Sequence, residues 1–384
     1  MTGAAFDLWQ QAFTLAAMSA GEELQRGMPD ALAMALNDTL KAFLSQSNTV
    51  DGIGQWATVW GPVVFESRPN GHSYADNAMN VAANADQTVY VVGIAGTNPT
   101  SIYDWLREDL GVEHTTSWTA AFPGLQPYGL PDSSSLNPYI SASTALGVNN
   151  LLHMVDTLQG TNKDLLTFLQ SLPVPQTRQA TLIFCGHSLA GALSPALALA
   201  FFNPAGGRLN LSNWGKVYVH PTAGPTPGNA DFGTFFSSVF RPVGPVTLPY
   251  QVWNMNVWNS IDIVPHAWNV ALLEKVATLY PASWKMPPLT LTGAIDYAKH
   301  RSDTGARTAG GPYQPCANQL LQGTFNSSIP VSDLDSFAKQ AIYQHTTAYD
   351  VLLNVQSLAP GKRNQAAFMP AVAAFLAGNS AKAR

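Results

Sequence analysis

The sequence predicts an α/β protein with a mostly parallel central sheet covered by helices, and three observations carry that prediction. Apolar runs of strand character alternate with stretches whose apolar residues recur every three or four positions. One such run, Leu182-Ile183-Phe184-Cys185, turns at Gly186-His187-Ser188 into Leu189-Ala190-Gly191-Ala192-Leu193, a small-residue, helix-forming stretch. At 384 residues, without internal repeat or low-complexity tract, the chain has room for one large domain with insertions or two modest ones. It reads as one unit, 1–384, with N-terminal helices in 1–50, an irregular region at 98–137 and an insertion at 266–313.

Phe6, Trp9 and Phe13, then Leu32, Leu36, Leu40 and Phe43, predict two N-terminal amphipathic helices, the second capped by Asp30. Val59 to Phe65, Asn77 to Ala83 and Thr88 to Ile94 read as strands, the last two joined by the turn Asn84-Ala85-Asp86. From Thr97 to Asn137 one short helix is followed by proline, glycine and serine, the mark of a functional loop or lid. Helices are predicted from Ser141 to Leu158 and from Lys163 to Leu172, before the strand that ends at Ser188. Later strands are expected at Lys216 to Val219 and Gln251 to Asn256. The final helices are expected at Ser332 to Tyr349 and Gln365 to Leu376.

Charged residues make up only 11% of the chain, against about 25% in typical soluble chains, so the surface must be rich in neutral polar groups and apolar patches. The net charge is -5 and no basic cluster is present, which argues against nucleic-acid binding. Cys185 and Cys316 form no framework and read as buried, inert thiols. No Cys-x-x-Cys or His-rich spacing implies a metal, and no cofactor is called for. The longest apolar run, Ala192 to Phe202, is too short to span a bilayer and contains Pro195. Met1 to Ala20 has no basic region before its apolar residues and does not read as a secretory signal; export would need another route or a signal already removed.

A strand-turn-helix elbow is how a sheet presents a nucleophile. Such a serine is held off its own backbone, near a base, beside N–H groups able to receive an oxyanion. Gly-x-Ser alone is a common tripeptide; the flanking strand and helix single out Ser188. Its partners should follow in the order acid, then histidine. Asp262 lies in Val257-Trp258-Asn259-Ser260-Ile261-Asp262-Ile263-Val264-Pro265, directly after a predicted strand, with Asp231 in reserve. Of the later histidines, His220 precedes the acid, His266 is nearly adjacent to it and His300 sits in a solvated run, which leaves His345 as the base. Val91 to Thr97 is an apolar strand running into a glycine and a hydroxyl residue, which places the oxyanion donors at Thr97 and Leu189.

These residues together resemble the class 3 (fungal-type, triacylglycerol) lipase family of the α/β-hydrolase superfamily. The matching stretches are Gly186 to Ala192, Gly96-Thr97 with Asp104-Trp105-Leu106-Arg107-Glu108-Asp109-Leu110, Thr222-Ala223-Gly224-Pro225 through Gly228-Asn229, and Asp262-Ile263-Val264-Pro265. The resemblance implies the α/β-hydrolase fold, with a lid helix and a long insertion before the histidine. It implies Ser188 as nucleophile, Asp262 as acid, His345 as base, Thr97 and Leu189 as oxyanion donors, and Asp109 behind the Thr97 hydroxyl. Two residues depart from the family pattern. Ala190 stands where glycine is usual, which is expected to shift the elbow slightly, and Pro195 falls inside the helix, where proline costs roughly 3 kcal/mol unless the helix kinks.

Ile102, Trp105, Leu106 and Leu110 fall on one face of the short helix after Thr97. Exposing each large apolar side chain costs roughly 1.5–3 kcal/mol, so such a helix would cover the site in water and turn its apolar face to a lipid–water interface. A helix packed permanently on the core fits the same pattern. The expected activity is hydrolysis of the carboxylic ester bonds of acylglycerols. A feruloyl esterase, a phospholipase A1 or another short-chain carboxylesterase would use the same triad, and a catalytically silent hydrolase-fold protein would bind lipid instead.

Overall fold

A computed structural model describes residues 4–21, 25–69, 71, 74–96, 111–123, 136–202, 209–284, 287–308 and 311–361. Three N-terminal helices, α1 (Leu8–Met18), α2 (Pro29–Leu44) and α3 (Ser47–Ile53), lead into the strands β1 (Trp56–Phe65), β2 (Asn77–Asn84) and β3 (Val89–Ile94). Helix α1 starts where Asp7 accepts from the Gln10 N–H and the Gln10 side chain accepts from the Asp7 N–H, a reciprocal cap. Asp30 is not the cap of α2. Met28 holds that position without a side-chain bond, because Pro29 with its preset φ already opens the helix and leaves Asp30 in the first turn.

A short ribbon of β4 (Thr115–Ser117) and β5 (Tyr139–Ser141) precedes α4 (Ala142–His153). That helix stops five residues short of the predicted end, because the Asp156 carboxylate gathers the Gln159 and Thr161 N–H groups into a turn. Strand β6 (Thr181–His187) then runs into α5 (Leu189–Phe202), which continues through Pro195. Strand β7 (Lys216–Thr222) and β8 (Asn256–Asn259) follow. The strand expected from Gln251 begins only at Asn256: the Gln251 side chain accepts from the Thr247 and Leu248 N–H groups, and Asn254 takes a left-handed φ of 61°. The insertion carries α6 (Leu289–Thr308), β9 (Asn318–Leu321) closes the sheet, and the predicted helix to Tyr349 divides at Thr346 into α7 (Leu334–His345) and α8 (Thr347–Leu352). The helix expected at 365–376 lies outside the described residues.

The sheet order is β1-β2-β3-β6-β7-β8-β9, antiparallel from β1 to β3 and parallel from β3 to β9. The two-residue period sorts its side chains between two layers. Tyr90, Val92, Leu182 and Phe184 join Leu193, Leu197 and Phe201 of α5 on one face, while Val91, Ile183 and Cys185 meet Leu15, Leu36, Leu40 and Phe43 of the N-terminal helices on the other. Burial on both faces explains why these parallel strands read as unbroken apolar runs. Both cysteines are free and buried, and burial pushes their thiols up, Cys316 to about 12. Among the described residues, no helix is long and apolar enough to cross a membrane.

Candidate active site

The site is assembled at the carboxyl ends of the parallel strands. Ser188 sits between β6 and α5 with φ 62°, a left-handed conformation that costs a non-glycine residue of order 1–3 kcal/mol. Its N–H donates to the Thr222 carbonyl at 3.0 Å and its carbonyl accepts from the Gly191 N–H at 2.8 Å, so the strained turn is held from both sides. The surrounding small residues are sterically required. A Cβ on Gly191 would lie 2.6 Å from Gly224 Cα and 2.7 Å from the Thr222 carbonyl oxygen, where backbone crosses backbone. A Cβ on Gly186 would lie 2.6 Å from Ala190 Cβ, so the space left by Gly186 is what admits the Ala190 methyl that the family pattern lacks.

Asp262 follows β8 in a tight turn in which its N–H donates to the Asn259 carbonyl. Its carboxylate is fully buried and accepts three hydrogen bonds: from the Val264 N–H at 3.0 Å on Oδ1, and from His345 Nδ1 at 2.8 Å and the Tyr349 hydroxyl at 2.9 Å on Oδ2. The Tyr349 oxygen in turn accepts from the Asn259 N–H. Burial and the adjacent carboxylate hold the Tyr349 pKa well above the usual phenol value, so the hydroxyl keeps the proton it donates.

His345 is the last residue of α7 and is buried. With Nδ1 donating to Asp262, the neutral ring carries its lone pair on Nε2, which is buried and has no hydrogen-bond partner among the described residues. The Asn259 amide donates to the backbone and side chain of Gln344, which donates to the Thr324 carbonyl, and so ties α7 to β8. The ring of His187, next to Ser188 in the chain, lies 4.8 Å from that of His345.

The geometry thus joins Asp262 to His345, with His187, the chain neighbour of Ser188, against the imidazole. Leu189 opens α5, where first-turn N–H groups have no intrahelical partners. Ile94 pairs with Gly186 in parallel register, so the chain leaving β3 runs beside the elbow as far as Gly96. Thr97, Asp109 and the lid residues Ile102, Trp105, Leu106 and Leu110 lie outside the described residues. The reserve acid and the other histidines weighed from the sequence sit in different surroundings. Asp231 is in the first turn of the helix Ala230–Val239 and binds the Asn137 N–H. His266 bonds the Asp262 carbonyl, His300 is exposed, and His220 is buried against Trp253, with its pKa pushed down to about 4 by burial. Reading from sequence missed Tyr349, His187, Asn259 and Thr222. Tyr349 had one signal available, its position one helical turn after His345. No group of three or more potential metal ligands occurs among the described residues.

The fold is that of the α/β-hydrolases. No family model matches the chain, and no curated protein matches it. Among solved structures, the lipase M37 superposes with a TM-score of 0.75 and 25% identity over 98% of this chain and 99% of its own. The lipase of Rhizomucor miehei, in complex with its propeptide, gives 0.41 and 14% over 68% of this chain and 63% of its own. Lipase II of Rhizopus niveus gives 0.43 and 15% over 69% and 76%. The family resemblance carried by the sequence motifs is therefore matched by likeness to a lipase structure along nearly the whole chain.

Proposed function

We propose that this protein is a lipase that hydrolyses the carboxylic ester bonds of acylglycerols, with Ser188 as nucleophile, His345 as general base and acid, and Asp262 as the orienting carboxylate. The observation that carries the reading is the buried 2.8 Å contact of His345 Nδ1 with Asp262 Oδ2, which leaves Nε2 unpartnered beside the serine elbow. The likeness to M37, a lipase, supports the substrate class.

In the reaction, His345 Nε2 takes the hydroxyl proton as Ser188 Oγ attacks the ester carbonyl. The tetrahedral oxyanion is received by the N–H groups of Leu189 and Thr97, with Asp109 behind the Thr97 hydroxyl. Losing one such donor typically costs about 2.7–4 kcal/mol of barrier. The imidazolium is stabilised by Asp262 and returns its proton to the leaving alcohol. Water, deprotonated by the same nitrogen, then releases the fatty acid and restores Ser188. In this reading the sequence pattern of Ile102, Trp105, Leu106 and Leu110 in the lid region 98–137 would supply the apolar face that meets a lipid–water interface, the whole chain acting as one domain.

The test is hydrolysis of p-nitrophenyl esters from acetate to palmitate by the parent and by Ser188→Ala. Activity lost in the variant and greatest on long chains supports the reading. A preference for acetate or butyrate assigns the triad to a short-chain esterase, and equal rates in both proteins remove the serine mechanism.

A further inference from the structure

His187 bridges the elbow and the end of α7. Its Nε2 lies 2.7 Å from the carbonyl oxygen of His345 and its Nδ1 lies 2.9 Å from Thr222 Oγ1. Ring contacts surround it: Phe13 at 5.9 Å, Tyr349 at 5.0 Å and His345 at 4.8 Å. We infer that His187 is a positioning residue for this hydrolase, fixing the end of α7, and with it the His345 imidazole, against Ser188. The inference rests on the roles proposed for Ser188 and His345.

The protons in this bridge can be assigned. Burial, with His345 adjacent, pushes the His187 pKa down to about 3, so the ring carries one N–H at neutral pH. A carbonyl only accepts, so that proton sits on Nε2 and points at His345. Nδ1 is then an acceptor, and the Thr222 hydroxyl must donate to it; the Gly186 carbonyl, at 3.4 Å from the same hydroxyl, is the weaker alternative. The His345 carbonyl is one of the last four of α7, which have no intrahelical donor. Thr222 also accepts the Ser188 N–H through its own carbonyl. One neutral imidazole, covalently adjacent to the nucleophile, thereby ties β6, β7 and the end of α7 together. It also presents no positive charge to His345 when that ring is protonated during the reaction. Without the bridge, the His345 carbonyl would lose its donor and the base would be placed by the Asn259–Gln344 and Asp262 bonds alone, while proton transfer requires Nε2 within about 2.6–3.2 Å of the serine oxygen.

The test compares His187→Phe, which keeps a ring but neither bond, with His187→Gln, whose amide puts a donor near Nε2 and an acceptor toward Thr222. Rates are expressed per serine titrated by a fluorophosphonate, so that loss of folded protein does not count. His187→Phe is expected to lower kcat roughly 100-fold with little change in KM, the scale of a misplacement of about 1 Å, and His187→Gln to recover most of it. A kcat for His187→Phe within about threefold of the parent, or a Gln variant no better than Phe, would overturn the inference. Should the variants not fold, 15N–1H correlation spectra of the histidine-labelled parent decide: a neutral His187 protonated on Nε2 at pH 6 supports the bridge, and protonation on Nδ1 excludes it. An inactive parent with the Nε2 tautomer would show the functional reading to fail while the bridge stands.

Discussion

Asp262 and His345, 83 residues apart in the chain, meet through a 2.8 Å hydrogen bond sealed from solvent, with Tyr349 on the same carboxylate oxygen. Asp262→Asn would turn an acceptor into an amide able to present its N–H to the ring, leaving His345 in the wrong tautomer. A fall in kcat of roughly 10⁴-fold is expected with the fold intact, read from steady-state ester hydrolysis.

Tyr349→Phe removes one bond to the carboxylate and leaves the Asn259 N–H without its acceptor. The expected loss is about 1–3 kcal/mol of unfolding free energy, with a smaller effect on kcat than Asp262→Asn. Chemical denaturation beside the kinetic assay checks both. Tyr349→Phe as stable as the parent would show that the hydroxyl network contributes nothing.

Stability should fall on mild acidification because two buried histidines stay neutral in the fold, His220 to about 4 and His187 to about 3. Both values are depressed below the unfolded value near 6.5, so the unfolded chain binds protons that the folded one refuses. Their contribution is complete above about pH 6.5 and is lost as pH falls toward 4, by about 1.4 kcal/mol per pH unit for each histidine. Denaturant midpoints measured from pH 7 to pH 4 test this, and His220→Phe, if it folds, should flatten the slope.

At the elbow, Gly191→Ala puts a methyl against the backbone of Gly224 and Thr222, where no side chain can yield. It should destabilise by more than the roughly 1–3 kcal/mol of ordinary overpacking, or prevent folding. Ala190→Gly, which restores the family residue, should cost only about 1 kcal/mol and keep activity. Expression yield and thermal midpoints of the pair separate the two positions.

Much of this was legible in the sequence, for physical reasons. The strands around Val91 and Ile183 are buried on both faces and so read as apolar runs, and the glycines of the elbow are demanded by backbone contacts. Ser188, Asp262 and His345 could be ordered along the chain because each lies at the end of an element. What stayed hidden depends on tertiary partners. Gln251 to Asn256 has strand composition but spends its side chains on a turn, and the break at Thr346 separates α7 from α8 inside one helical pattern. The bonds of Tyr349 and His187 link residues far apart in sequence, and no local pattern announces them.

Whether Ser188 is the nucleophile is decided by labelling the native protein with a fluorophosphonate and locating the modified residue by peptide mass spectrometry. One equivalent on Ser188 is expected, abolished by Ser188→Ala and slowed by His345→Ala. An unlabelled folded protein, or label on another serine, would contradict it.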